Sequence, residues 1–143
     1  MKKAVKGTIR LFIVIVAATA LVVGIKILTD GMYLLGIPNL EEVQTVSILY
    51  PSVTEEVKEV SSQEDMELSL KLTGFLKYDL FEKADSNEKP FITIIYHLKD
   101  GTDKTISANN TTVWWNGQTY VIKDKEMFVN LTEGIFFSEA LPE

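Results

Sequence analysis

The chain has 143 residues, no cysteine and a formal net charge of −6. The missing cysteine excludes disulfide bonds, thiolate metal sites and a lipid-modified cysteine anchor. From Asp30 onward there are 9 basic and 20 acidic residues, a net charge of −11, which disfavours nucleic acid as a partner because few groups could neutralise its phosphates.

An uncharged apolar run fills the first part of the chain, from Leu11 to Ile25. The wider segment Ile9–Leu28 is interrupted only near its ends, by Arg10 and Lys26, and as a helix it would reach about 30 Å, the thickness of a bilayer's hydrocarbon core. Basic residues are concentrated before the run, which by the positive-inside rule keeps the N-terminus in the cytoplasm. We therefore predict that residues 1–28 form a basic end and a transmembrane signal anchor in the plasma membrane.

Two alternatives to the anchor are open. The basic start, the apolar core and the small residues Ala18–Thr19–Ala20 are also typical of a cleaved secretory signal. Hydrophobicity continues from Leu21 to Leu28, however, where a mature chain should begin with polar residues, and this favours the anchor. A buried soluble helix is disfavoured because the run has no polar face.

The remaining chain is large enough for one domain with a single hydrophobic core. We predict a short juxtamembrane connector over residues 29–40, an extracytoplasmic domain over 41–137 and a frayed tail over 138–143. The connector contains Gly31, Gly36 and Pro38 among apolar residues.

The first half of the domain mixes strand and helix patterns. Val43–Tyr50 alternates in the manner of a strand, whereas residues 53–60 fit either a helical face or an edge strand, with the strand favoured. Ser61 with Glu64 three residues later resembles a capping box, and a broad apolar stripe follows. This pattern predicts a helix from Gln63 to Glu82.

From Pro90 the pattern changes to β-branched and aromatic residues separated by turn dipeptides, which predicts an antiparallel meander. We predict a central strand at Phe91–Leu98 and an exposed or edge strand at Asp103–Ser107. Asn116–Gly117 is typical of a type I′ turn and predicts a hairpin between Thr111–Trp115 and Gln118–Ile122.

A two-residue hairpin loop fixes which residues face each other. Trp115 should then face Gln118 and lie in the core, whereas Trp114 should face Thr119 and be at least half exposed. Residues 127–137 fit either a helix or a turn followed by a strand. The predicted fold is α+β, with a mostly antiparallel sheet of about five strands packed on one long helix.

Trp114 is the one candidate binding residue, because an exposed aromatic on a sheet is a common anchor for a partner or a sugar ring. His97 is the only histidine, and we expect it to be structural because it has no second histidine or cysteine as a partner. An acidic cluster shows no calcium-loop pattern and is expected to be a solvated face. Its members are Glu55, Glu56, Glu59, Glu64, Asp65 and Glu67. We predict no catalytic residue, no metal site and no cofactor.

Four segments together resemble a family of uncharacterised exported or membrane-anchored domains from Gram-positive bacteria. They are GIPNLEEVQTVSILYP, PFITIIYHLKDG, WWNGQTYVI and LTEGIFF, within residues 37–137. The resemblance implies an extracytoplasmic α+β domain and transfers no functional residue.

The functional hypothesis is a non-catalytic binding or interaction module held by the bilayer and facing a protein partner at the cell envelope. Two alternatives remain. One is a small cell-envelope hydrolase, which predicts a cleft where two carboxylates, or a carboxylate and His97, converge. The other is a structural subunit of a membrane complex, whose helix would pack through small residues such as Ala17 and Gly24.

Overall fold

A computed structural model describes residues 2–85 and 87–138. The first helix, α1, is Lys2–Asp30. Within Val5–Asp30, a stretch of 18 residues has a mean hydropathy of 2.7, and no residue of that stretch is buried against the rest of the chain. A helix of this length and composition can span a membrane or serve as a signal anchor, as the sequence predicted.

An eight-stranded sheet follows, in which every pair of neighbouring strands is antiparallel. The strands are β1 Met32–Tyr33, β2 Val43–Leu49, β3 Lys58–Val60, β4 Lys77–Asp79, β5 Ile92–Leu98, β6 Asp103–Ala108, β7 Thr112–Trp115 and β8 Gln118–Ile122. Their order across the sheet is β1-β4-β8-β7-β6-β5-β2-β3. The α+β class is confirmed, but the expectation of about five strands was too low, because β1, β3 and β4 have only two or three residues each.

Two further helices complete the domain, α2 at Gln63–Phe75 and α3 at Met127–Phe136. A short 3-10 turn at Leu40–Glu42 precedes β2. The cap of α2 is Ser62, whose hydroxyl accepts a hydrogen bond from the Asp65 amide at 3.2 Å, one residue later than the predicted capping box.

The predicted helix over Gln63–Glu82 was wrong in its second half. The chain leaves the helix at Leu76, and Lys77–Asp79 pairs with β8 on one side and β1 on the other. Pairing with two distant strands overrides the local helical pattern, because a three-residue strand has no periodic signal of its own.

One face of the sheet is packed in the core, and we call it the covered face. Ile48, Ile94, Ile106 and Trp115 lie side by side on it by strand register, and none is more than 3% exposed. Three segments cover this face. They are α2, which bonds to Tyr96; α3, which bonds to Tyr50; and residues 34–36, where the Leu35 carbonyl accepts from Trp115 Nε1 at 2.8 Å.

The meander matches the sequence closely at its hairpin. Thr112, Val113, Trp114 and Trp115 face Val121, Tyr120, Thr119 and Gln118, as predicted. Asn116 and Gly117 have φ of 49° and 73°, the positive values that a type I′ turn requires. Trp115 is 3% exposed, so its place in the core is confirmed.

The strand at Asp103–Ser107 was predicted to be exposed or at an edge, and only the edge is wrong: the strand, β6, has exposed residues on one face. It lies between β5 and β7, and Ile106 is fully buried. The sequence pattern is misleading here because the polar residues of β6 point to the solvent-facing side of an interior strand.

The structure also decides two alternatives that the sequence left open: within residues 53–60 only the strand β3 forms, and most of residues 127–137 is helical. Residues 139–143 of the predicted tail lie outside the described residues.

The end of the sheet nearest α1 is identified by its contacts. At this end β4, β5 and β7 begin, while β6 and β8 finish. Lys123, which follows β8, donates from Nζ to the Leu28 carbonyl of α1 at 3.5 Å. We call this the anchor-proximal end. Residues 29–40, predicted as a connector, join the fold directly, since β1 pairs with β4 and Leu34 is 5% exposed.

Candidate functional site

On the side of the sheet opposite α2 and α3, no helix of residues 2–85 and 87–138 lies over strands β2, β5, β6 and β7, and we call this surface the open face. Strand alternation places on it the side chains of Thr45, Ser47, Leu49, Thr93, Ile95, His97, Asp103, Thr105, Ser107, Trp114 and Thr119. Most of these are hydroxyl-bearing or partly exposed apolar residues. The open face is therefore a solvent-accessible surface on which a ligand could contact both hydroxyl groups and apolar side chains.

The loop between β4 and β5 covers one corner of the open face. Glu88 of this loop accepts hydrogen bonds from Asn109, Thr111 and Thr112, at 2.9, 2.8 and 3.1 Å. These donors favour the charged form and hold the pKa of the Glu88 carboxyl below its ordinary value. The rest of the open face, including β5 and β6, stays uncovered by this contact.

Four side chains form a continuous polar chain across the open face. Ser47 Oγ lies 2.7 Å from Glu59 Oε1 and 2.7 Å from His97 Nε2, and His97 Nδ1 lies 2.8 Å from Asp103 Oδ1. The residues belong to β3, β2, β5 and β6, which are consecutive in the sheet. We call this set the polar chain.

The direction of one bond in the polar chain follows from counting donors. Ionised carboxylates only accept, and a serine hydroxyl has a single hydrogen to give. Ser47 donates that hydrogen to Glu59, which leaves none for its contact with His97 Nε2. Asp103 lies at the other ring nitrogen, Nδ1.

The order Ser47, His97, Asp103 is that of the hydrogen bonds in a serine hydrolase triad. Three features weigh against that chemistry. Ser47 is 4% exposed, its hydrogen is given to Glu59 rather than to the histidine, and β2 lies between β3 and β5, whose pairing uses its backbone N–H groups. No backbone donors are thus free at Ser47 to stabilise an oxyanion. The arrangement best serves to join the edge strand β3 to the interior of the sheet.

Sequence reasoning found His97 but missed its partners. The hydrolase alternative predicted that a carboxylate would converge on this residue, and Asp103 does so, although the pair lies on an exposed sheet face rather than in a cleft. Ser47 and His97 are fifty positions apart and meet only through the β2–β5 register. The alternation of each strand was readable, but the register between distant strands was not.

Trp114 lies on the open face as predicted, but it is partly buried rather than at least half exposed. The reason is that β7 has a neighbour on each side. Strand register places Ser107 of β6 on one flank of Trp114 and Thr119 of β8 on the other. The prediction considered only the hairpin partner. A binding role for Trp114 stays a prediction.

The members of the acidic cluster are not gathered into one group. Within residues 2–85 and 87–138, no group of three or more histidine, aspartate or glutamate side chains is arranged to hold a metal ion. Several members of the cluster have other partners: Glu59 accepts from Ser47, Asp65 from Ser62 at 2.7 Å and Glu67 from Lys71 at 2.8 Å.

A cavity of about 520 Å³ lies between the 3-10 turn and the start of α2, with Glu41 and Lys99 among its lining residues. It is at the end of the domain away from α1, and its lining residues do not include a member of the polar chain.

Comparison with known proteins gave no match: no family model, curated protein or solved structure is significantly similar to this chain.

Proposed function

We propose that this protein is a single-pass membrane protein whose C-terminal domain stands outside a bacterial plasma membrane and acts as a non-catalytic interaction module. The observation that carries the proposal is the apolar surface of α1: within Val5–Asp30, the most apolar stretch of 18 residues has none of its members buried by the domain. A helix of this hydropathy is stable when its surface meets lipid. The basic residues before it favour a cytoplasmic N-terminus.

The interaction role is supported by the open face. It combines partly exposed apolar side chains, Leu49, Ile95 and Trp114, with a surrounding set of hydroxyl groups and the polar chain. Interfaces of proteins commonly have such a mixture of aromatic or aliphatic anchors and satisfied polar groups. The partner that we propose for the open face is a protein of the cell envelope, and this binding requires no cofactor.

Photocrosslinking in intact cells tests this role. A photoreactive amino acid in place of Thr105, which is exposed at the centre of the open face, should give a reproducible crosslinked protein of defined mass. The matched control is the same amino acid in place of Lys71, which is 59% exposed on α2. The control should give no such product.

Two outcomes would contradict the interaction role. One is the absence of a crosslinked product from any open-face position, with Ile95 tested as well as Thr105. The other is an identical set of products from position 105 and position 71, which would indicate random encounters. Membrane fractionation of the same cells reports separately on the anchor.

A second candidate, a small serine hydrolase, is favoured by one observation, the sequence of contacts from Ser47 through His97 to Asp103. A fluorophosphonate probe labels an activated serine covalently. The hydrolase alternative predicts labelling that Ser47→Ala abolishes. Non-catalytic function predicts no labelling of the native chain, because Ser47 is buried and donates to Glu59.

A further inference from the structure

An exposed apolar stripe runs along α3. Met127, Leu131 and Ile135 are 40%, 43% and 37% exposed, and their spacing of four residues aligns them on one side of the helix. The buried side of the same helix is formed by Phe128, Val129, Thr132 and Phe136. A surface helix that meets only water normally has a polar outer side. The stripe therefore needs an explanation beyond packing on the domain.

The stripe lies at the anchor-proximal end. The Glu126 amide, just before α3, donates to the Asn110 carbonyl at 3.0 Å, next to the start of β7. At the other end of α3, Lys58 Nζ donates to the Phe136 carbonyl. The helix thus crosses the sheet from β7 to β3. Lys123, four residues before the stripe, is the residue that contacts Leu28 of α1.

Further exposed aromatic residues belong to the same end. Phe91 is 43% exposed immediately before β5, and Phe75 is 62% exposed two residues before β4. Tyr33, 51% exposed, lies beneath Lys77 with Nζ 5.1 Å from the ring centroid. Single exposed apolar residues are ordinary on protein surfaces. Leu35 and Phe81, away from this end, are examples. What distinguishes Phe75, Phe91 and the stripe is that they lie at the end of the domain that contacts an apolar helix.

The junction between α1 and the domain also fits a membrane interface. A cavity of about 260 Å³ is lined by Val23, Lys26 and Ile27 of α1 and by Tyr33 and Lys77 of the domain. Residues of α1 more than one turn before its end thus lie beside β1 and β4. Tyrosine and lysine are typical of the headgroup region, where an apolar body meets a polar layer. The anchor-proximal end is therefore level with the end of the apolar helix.

We propose that α3 is an interfacial helix that rests on the bilayer surface beside α1, with its apolar stripe, Phe75 and Phe91 in contact with lipid. This inference rests on the proposed function, because it requires α1 to be in the membrane. Lipid is the occupant because α1 holds the stripe at the bilayer surface, so contact is intramolecular and needs no further partner. The strands then extend away from the membrane, and the open face stays in water.

Fluorescence of the full chain in phosphatidylcholine vesicles tests the proposal. The chain has no cysteine, so a single Ile135→Cys substitution takes an environment-sensitive dye at one position. We expect a blue-shifted emission that vesicles with nitroxide-labelled acyl chains quench at least two-fold more than the same dye on Thr105→Cys. Adding Leu131→Glu should reduce the quenching at position 135 to the level at position 105, whereas the control Asn130→Glu, on the polar flank of α3, should not.

The outcomes separate the two proposals. A chain that does not float with the vesicles contradicts the anchor itself. A chain that floats but has equal quenching at positions 135 and 105 overturns only the interfacial helix. A blue shift without quenching, dependent on the protein-to-lipid ratio, would indicate a second copy on the stripe and would equally overturn it. Circular dichroism of the Leu131→Glu and Asn130→Glu chains verifies that each is folded.

Discussion

The hydroxyl of Tyr96 lies 2.7 Å from Thr73 Oγ1 and donates to the Ser69 carbonyl at 2.9 Å. Tyr96 is fully buried in β5, and both partners belong to α2. These bonds fix the helix on the sheet at one depth and one rotation, which apolar contacts alone specify less sharply. Burial raises the pKa of Tyr96 to about 12, so the hydroxyl remains a donor at all physiological pH values.

Tyr96→Phe should lower the free energy of unfolding by about 1–3 kcal/mol, because it leaves the buried Thr73 hydroxyl without one of its partners. Urea unfolding of the detergent-solubilised chain, followed by tryptophan fluorescence, measures the change. Tyr120→Phe is the matched control, since Tyr120 is only partly buried. Equal stability of the Tyr96→Phe and native chains would contradict the role of these bonds.

We predict that a Gly→Ala substitution has opposite effects on stability at Gly117 and Gly134. Gly117 has a φ of 73° in the hairpin turn, so Gly117→Ala should cost about 1 kcal/mol of unfolding free energy. Gly134 lies within α3, and a Cβ there would meet no atom within 4 Å, so Gly134→Ala should stabilise by about 0.5–1 kcal/mol. Thermal unfolding by circular dichroism compares both variants with the native chain. Changes of the same sign would refute the assigned backbone conformations.

We predict that the stability of the domain depends on pH through the carboxyl group of Asp79. The Phe81 amide, at 2.8 Å, and the ammonium of Lys123, at 3.1 Å, hold the pKa of this carboxyl below its ordinary value of 3.8. A lowered folded-state pKa contributes stability above the unfolded value, and this is lost as the pH falls through the folded value. Asp79→Asn should therefore lower the Tm at pH 7, and the difference from the native chain should shrink as the pH falls below about 3.8 and vanish below the folded-state pKa.

The control for Asp79 is Asp124→Asn, which removes an exposed carboxylate from the same end of the sheet. Its effect on the Tm should be small both at pH 7 and at pH 3. A Tm difference for Asp79→Asn that is unchanged or larger at pH 3 would show that the charged carboxylate is not the stabilising form.

Local chemistry made part of the fold predictable. The β7–β8 register followed from Asn116–Gly117, because a two-residue turn aligns its strands without help from distant residues. Strand β4 could not be predicted, since Lys77–Asp79 is extended only through pairing with β1 and β8. The apolar stripe that predicted one long helix over Gln63–Glu82 is instead divided between α2 and β4.

Less of the candidate site than of the fold could be predicted from the sequence. Trp114 and His97 stood out as single residues, but the contacts of Ser47 with Glu59 and His97 depend on the pairing of β2 with β3 and β5. Eight residues separate β2 from β3 and 42 separate β2 from β5, and neither connection is a short turn that fixes a register. The serine, which gives the polar chain its continuity, carries no local signal at all.

Labelling of a single cysteine in intact cells tests the location of the domain most directly. Thr105→Cys is exposed on the open face, and the native chain has no competing thiol. The proposed topology predicts that a membrane-impermeant maleimide labels this position without lysis, and that the labelled chain remains in the membrane fraction with α1 still attached. Labelling that appears only after lysis would place the domain in the cytoplasm, and a labelled chain released without α1 would show a cleaved signal; either result would contradict the membrane-anchored module.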